Sequence, residues 1–489
     1  MKKSIVIGAG IAGIATSIRL AKKGYAVEVY ESNAYAGGKL SAFSSEGFRF
    51  DAGPSLFTMP QYVDALFELC DEDPRAHFTY HKKEIGCEYF WPDGTRLTAY
   101  SDQNRFLQEV EEKLNVAPTV VKKYLARAKE KFDLTAELFL ENSLHRWETF
   151  LTKNTIKALA RLPLFELNKS LAKVNTAQLK EPHLVQFYNR FATYNGSSPF
   201  QTPGIMTLVQ HLESEYGTFI PEGGMEQISQ SLFQLAKRQG VKFYFNQKVT
   251  EILHTKNEVT AVMVNKQKLL ADVIVSNMDI FPTYRYLLPK AKAPEKILAQ
   301  ERSSSAVIFY WGIQKQFPAL DLHNIFFSED YQAEFNAIFN EHTLYDDPTI
   351  YVNITAKDVP SDAPKGCENW FVMINTPADY EQDWETEIVS LRTKVLDKLE
   401  KRLNTSIRSH ILTEEVLTPP MIETKTQSHL GALYGASSNN KMAAFWRHPN
   451  FSREFNNLYF CGGSVHPGGG IPLCLLSAKI VSDQLASLT

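Results

Sequence analysis

The first thirty residues alternate between two hydrophobic patterns. Ser4-Ile5-Val6-Ile7 is a short run rich in β-branched residues with no polar alternation, which predicts a strand buried on both faces. Glycines follow at 8, 10 and 13, and Ile14 to Ala21 then carries apolar residues at helical spacing. Ala26 to Tyr30 reads as a second strand. The middle repeats this alphabet, with a helical run from Gln227 to Arg238 followed by strand-like runs at Val241–Phe245 and Val273–Ser276. Near the C-terminus, Asn457 to Cys461 reads as a buried strand, and Leu473 to Leu488 as a helix with Pro472 suited to its first turn. No apolar run reaches the roughly 20 residues that a bilayer crossing needs. The uncharged stretch from Ser4 to Ile18 is too short to span and carries turn glycines, so it is expected to be folded protein.

The first glycine cluster has a specific chemistry. In a strand–turn–helix context, Gly8 permits the tight turn, Gly10 lets a pyrophosphate approach the backbone, and Gly13 lets the helix pack closely on the strand. The helix N-terminus then faces the phosphates. Glu31 ends the second strand 18 residues beyond Gly13, where a ribose-binding carboxylate belongs. Taken alone, such a glutamate is as readily a solvated charge at a strand end. In this context the pattern predicts a dinucleotide site. Six residues on comes Gly37-Gly38-Lys39, and beyond it Gly47 to Gly53, Pro54 and Ser55. These glycines would let a hairpin pass close to the cofactor.

That glycine pair after the acid, with F-D-x-G-P beyond it, resembles the FAD-binding start of the amine oxidase and phytoene desaturase flavoprotein superfamily. The C-terminal His466-Pro467-Gly468-Gly469-Gly470-Ile471-Pro472 resembles the terminal motif of the bacterial carotenoid desaturases. The resemblance runs from about residue 4 to 486 and includes P-x-G-G-M at Pro221 to Met225 and V-S-N-x-D at Val275 to Asp279. It implies FAD as cofactor. Contacts would come from the first glycine turn, Glu31, Gly37, Gly38, Lys39 and the Gly53-Pro54-Ser55 loop, and the backbone of Val249 would meet adenine. Gly463, Ser464, Gly470, Ile471 and Pro472 would hold the far end of the cofactor. Two departures stand out. Lys39 replaces a common arginine and lacks its bidentate fork, and Gly462-Gly463-Ser464-Val465 replaces the usual G-A-G-T, moving a hydroxyl by one position. Gly37 to Leu40 with Asp51 to Pro60 looks more like the hydroxycarotenoid 3,4-desaturases than the phytoene desaturases.

The resemblance implies an α/β fold: a Rossmann-type FAD domain from residues 1–75, 221–282 and 451–489, and a mixed-sheet substrate domain from 76–135, 193–220 and 283–450. Residues 136–192 would form a helical, membrane-facing insertion. The implied reaction removes two hydrogens beside a conjugated polyene, as in 3,4-desaturation of the acyclic end of 1'-hydroxy-γ-carotene. Phytoene or neurosporene desaturation, flavin-dependent carotenoid isomerisation and non-catalytic lipid binding on the same fold are the alternatives. His466 is the candidate proton acceptor, and Tyr194 either lines the substrate channel or is a core aromatic. With no second G-x-G-x-x-G, a separate nicotinamide site is not expected, and electrons would pass to a quinone or oxygen.

Composition narrows the remaining choices. The 52 basic and 55 acidic side chains leave a net charge of −3, which argues against a nucleic-acid partner. Five scattered cysteines without a C-x-x-C pair signal neither a disulfide framework nor a zinc site, and a reducing cytoplasmic compartment fits them. From Leu144 to Lys173, Trp147, Leu151, Ala158, Leu159 and Leu162 fall on one helical face, and Lys153, Lys157 and Arg161 on another. One basic amphipathic helix is therefore expected there, either lying on an anionic membrane surface or burying one face in an ordinary core.

Overall fold

The computed structural model describes residues 1–151 and 153–488, less the side chains of Lys153, Asn154, Ile156, Ala444 and Phe445. A five-stranded parallel sheet gathers segments from the whole chain, in the order Leu458–Phe460, Val273–Ser276, Lys3–Ile7, Ala26–Tyr30 and Lys242–Tyr244. Lys3–Ile7 is central, and Ile5 and Val6 are fully buried, because helices or sheet cover both of its faces. On one face the helix Ile11–Lys22 packs against Glu226–Arg238 and Ile471–Asp483. On the other, an antiparallel layer of Val249–His254, Val259–Val264 and Gln267–Leu270 shares a core with Ile5, Ile7 and Ile274.

A second sheet has seven strands, in the order Ile411–Leu417, Ser305–Ile313, Glu368–Thr376, Ile350–Asn353, His323–Phe326, Ile85–Phe90 and Arg96–Tyr100. It is mixed: His323–Phe326 runs parallel to Ile85–Phe90, and every other pair is antiparallel. Every residue of Ser305–Ile313 is buried, and Trp311 and Trp370 face each other directly in the ladder. Burying side chains of this size contributes about 1.5–3 kcal/mol each, so this sheet is a rigid wall. Helices Gln103–Leu114, Pro118–Ala136, Leu171–Leu179 and Pro182–Asn189 stand beside it.

The single helix expected over Leu144 to Lys173 is not there. The chain forms a short 3-10 turn at Trp147–Phe150, a two-turn helix at Lys153–Ala160 and another 3-10 turn at Leu162–Phe165. Pro163 supplies no N–H and favours a new turn over continuation. The apolar positions also part company: Ala158 is buried, whereas Trp147 and Leu151 are 69% and 72% exposed. Among the described residues, no helix is long and apolar enough to cross a membrane.

Candidate active site

Both ends of the chain open onto one cavity of about 1470 Å³, larger than the ~300–1,000 Å³ usual for a small ligand. Gly8 and Gly10, the Gly37-Gly38 pair and the loop Gly468 to Gly470 all line it. The turns are brought together by backbone and one side chain. The Gly37 N–H donates to the Ala9 carbonyl at 2.8 Å. Asn277, at the end of Val273–Ser276, accepts from the Gly13 N–H at 2.9 Å and donates to the Cys461 carbonyl at 3.3 Å. Gly13 must be glycine for steric reasons, since a Cβ there would stand 2.2 Å from the Gly8 carbonyl oxygen.

Glu31 is buried at the cavity wall and uses both oxygens within the chain. Oε2 accepts from the Ala9 N–H at 2.7 Å, and Oε1 from the Asn33 N–H at 2.8 Å and Ser32 Oγ at 3.1 Å. Oε2 keeps a free lone pair for a ligand hydroxyl. Val249 adjoins it, because the Gln247 N–H donates to the Glu31 carbonyl. Lys39 is turned onto backbone: its Nζ donates to the carbonyls of Leu433 and Ala432 at 3.0 and 3.4 Å, and burial lowers its pKa. Gly53 passes under Lys39, Ser55 Oγ bonds Tyr351 Oη at 2.9 Å, and Pro54 lies between them in the wall.

The C-terminal loop is equally constrained. Gly463 and Ser464 line the cavity, but the Ser464 hydroxyl accepts from the Ile280 N–H at 3.0 Å rather than standing free. Gly470 takes φ +105° at the N-terminus of Ile471–Asp483, no side chain caps that helix, and a Cβ at Gly470 would meet only open space. Ile471 and Pro472 form its first turn, so unpaired N–H groups face the cavity. His466 is buried, with Nε2 2.8 Å from the Asn142 carbonyl; that oxygen only accepts, so Nε2 carries the proton and Nδ1 is the basic atom. Burial pulls its pKa down to about 4 and keeps the ring neutral.

Farther along the cavity the walls are apolar, with Leu208, Val209, Leu212 and Ile325, and one charged cluster interrupts them. Tyr194 is half-buried there, lining the cavity while its ring packs against the core beside Phe191; its Oη donates to Glu213 and accepts from Arg190 Nη1 at 3.0 Å.

The chain matches the family of flavin containing amine oxidoreductases over residues 11–486. It is 55% identical over 485 residues to a 1-hydroxycarotenoid 3,4-desaturase of Flavobacterium sp., covering 99% of both chains. The protein belongs to the carotenoid desaturases of this flavoprotein family. A 4,4'-diaponeurosporene oxygenase of Staphylococcus aureus is 34% identical over 497 residues, 99% of this chain and 98% of that one. A crystal structure of an oxidoreductase from Methanosarcina mazei superposes with a TM-score of 0.64 at 15% identity, covering 98% and 100% of the two chains. The fold is thus that of the FAD-dependent oxidoreductases, and this flavoprotein uses FAD.

The residues fit that cofactor. A cavity bordered by two glycine turns, an uncapped helix N-terminus and a carboxylate with a lone pair to spare matches the donor and acceptor needs of a dinucleotide. Three residues important to this flavoprotein's site escape sequence reasoning. Asn277 falls within a recognised motif, but its tie to Gly13 spans 264 residues. Tyr434 packs against the Gly469 backbone. Arg447 is buried beside Gly468, where it donates to the Ala436 carbonyl at 3.0 Å. A tyrosine or arginine in a loop carries no periodic signal that would single it out.

Proposed function

We propose that this FAD-dependent desaturase converts a saturated CH2–CH2 unit next to a polyene into a double bond at the 3,4 position of a hydroxylated carotenoid such as 1'-hydroxy-γ-carotene. The observation that carries this is the shared cavity: the glycine turns of both chain ends border a volume that continues as an apolar channel past Tyr194. The whole-chain similarity to a 1-hydroxycarotenoid 3,4-desaturase supports the position of the new bond.

FAD held there would supply the two-electron oxidant for loss of a hydride equivalent from the allylic carbon. The chain's own work is holding and excluding. Glu31 Oε2 is assigned to a ribose hydroxyl, the N–H groups following Gly10 to the pyrophosphate, and the start of Ile471–Asp483 to the electron-rich end of the ring system. The apolar walls keep water from the polyene cation. That cation is a strong acid, so even a neutral histidine with pKa about 4 suffices to take the proton, and Nδ1 of His466 is the atom assigned to it. Electrons leave for a quinone or oxygen.

A membrane supplies so apolar a substrate. Trp147, Leu151, Leu159 and Leu162 project into solvent, 47–72% exposed, with Lys157 and Arg161 among them. Lys441 Nζ bonds Asn168 at 3.1 Å, and Trp446, five residues farther on, is exposed as well. This patch supports peripheral docking on an anionic leaflet. Purified holoenzyme given 1'-hydroxy-γ-carotene should yield a product two hydrogens lighter with red-shifted absorption, and should leave phytoene unchanged. An unchanged product mass, or turnover of phytoene in preference, would overturn the proposal.

A further inference from the structure

The apolar channel contains a charged pair that desaturation of a pure hydrocarbon does not need. Arg190 and Glu213 both line the cavity with side chains only 8% and 11% exposed. Their contacts are long: Arg190 Nη2 stands 3.4 Å from Oε1 and 3.5 Å from Oε2, against ~2.7–2.9 Å for a well-made charged bond. Arg190 Nη1 is spent on Tyr194, while its Nε is buried with no hydrogen-bond partner. The Tyr194 hydroxyl occupies Glu213 Oε2, so Oε1 carries only the long Arg190 contact. Burying two charges against a polyene this loosely is costly unless the ligand brings a polar group.

The cluster also stands close to the flavin end of the cavity. The Tyr434 ring is the link: a Cβ at Gly196, two residues after Tyr194, would lie 2.7 Å from its Cδ2, and one at Gly469 in the C-terminal loop 2.8 Å from its Cδ1. Tyr351, whose hydroxyl bonds Ser55 of the cofactor loop, lines the same cavity. In a carotenoid hydroxylated at C1 and desaturated at C3–C4, only two bonds separate the hydroxyl carbon from the first reacting carbon. An anchor for that hydroxyl must therefore adjoin the chemistry.

We propose that Glu213, held by Arg190 and Tyr194, accepts a hydrogen bond from the C1 hydroxyl of the substrate and so selects hydroxylated over non-hydroxylated ends. The inference rests on the 3,4-desaturase reading above and names the group that gives it specificity. A deoxy substrate would leave the carboxylate oxygen facing hydrocarbon, which is how polar sites reject analogues lacking their partner.

The test compares kcat/KM of the holoenzyme for 1'-hydroxy-γ-carotene and for 1',2'-dihydro-γ-carotene, which lacks only the hydroxyl. Both substrates meet the same enzyme, so partial loss of folded or flavin-loaded protein cancels in the ratio. Glu213→Gln removes the charge, and the wild-type preference should fall about 10-fold or more, the worth of a hydrogen bond to a charged group. Because Glu213→Gln leaves Arg190 uncompensated, the double variant Arg190→Met/Glu213→Leu, which removes both charges, should lose the preference as well. A preference retained in both variants overturns the anchor while leaving the 3,4-desaturase reading intact. A wild-type enzyme that desaturates neither substrate overturns both.

Discussion

Asn277 is the side chain whose loss should most directly report how the two ends of the chain make one cofactor site. Its carboxamide accepts from Gly13 at the start of the first helix and donates to Cys461 at the end of the C-terminal strand. Asn277→Ala removes both bonds and leaves a helix N-terminal N–H and a strand-end carbonyl unpaired behind the cavity wall that Asn277 itself lines. In the apoprotein, water can enter and satisfy both groups, so the cost is small. Bound FAD excludes that water, and the unsatisfied pair then costs about 2 kcal/mol. The FAD dissociation constant should accordingly rise about 30-fold, with little change in the unfolding of the apoprotein. Titrating apoprotein with FAD by flavin fluorescence measures the constant, and urea unfolding of the apo form provides the control. A dissociation constant within twofold of wild type would refute the claim that Asn277 couples the glycine turns.

Two further expectations follow from burial and exposure. Serine at Trp147, Leu151 and Trp446 together should weaken binding to anionic vesicles by more than 10-fold, since each inserted side chain contributes about 1.5–3 kcal/mol; cosedimentation unchanged by the triple substitution would remove these residues from the docking patch. His448, His323 and His466 are held neutral by burial, with pKa values near 3, 3 and 4 against an ordinary 6.5. Between about pH 4 and 6.5 the unfolded chain therefore binds protons that the native state does not, so stability is full above pH 6.5 and falls as pH drops. Replacing His448 by Asn should reduce that slope by about one proton, read from unfolding midpoints at about pH 5 and 6.5. An unaltered slope would mean that His448 protonates without unfolding.

Much of the cofactor site is written locally. Gly8, Gly13, Gly37 and Gly470 are demanded by backbone geometry or close approach, and their spacing within a strand–turn–helix unit is visible without any tertiary contact. The run Ser4 to Ile7 announces a strand covered on both sides for the same reason: burial on two faces leaves no polar alternation. The position of Glu31 is likewise set by the length of one helix and one strand.

Tertiary structure alone decided the rest. Lys39 carries a charge suited to a phosphate, yet the fold turns it onto carbonyls of residues 432 and 433. Helical spacing across Leu144 to Lys173 suggested one amphipathic helix, but spacing is blind to Pro163 starting a new turn and to which apolar side chains find a core. Arg190 and Tyr194 share one short helical segment and Glu213 comes from another, and nothing in their neighbours distinguishes a buried charge from a solvated one. The physical reason is common to all three: backbone requirements act over a few residues and leave a periodic trace, whereas the partner of a side chain is chosen by packing between segments that follow no fixed spacing along the chain.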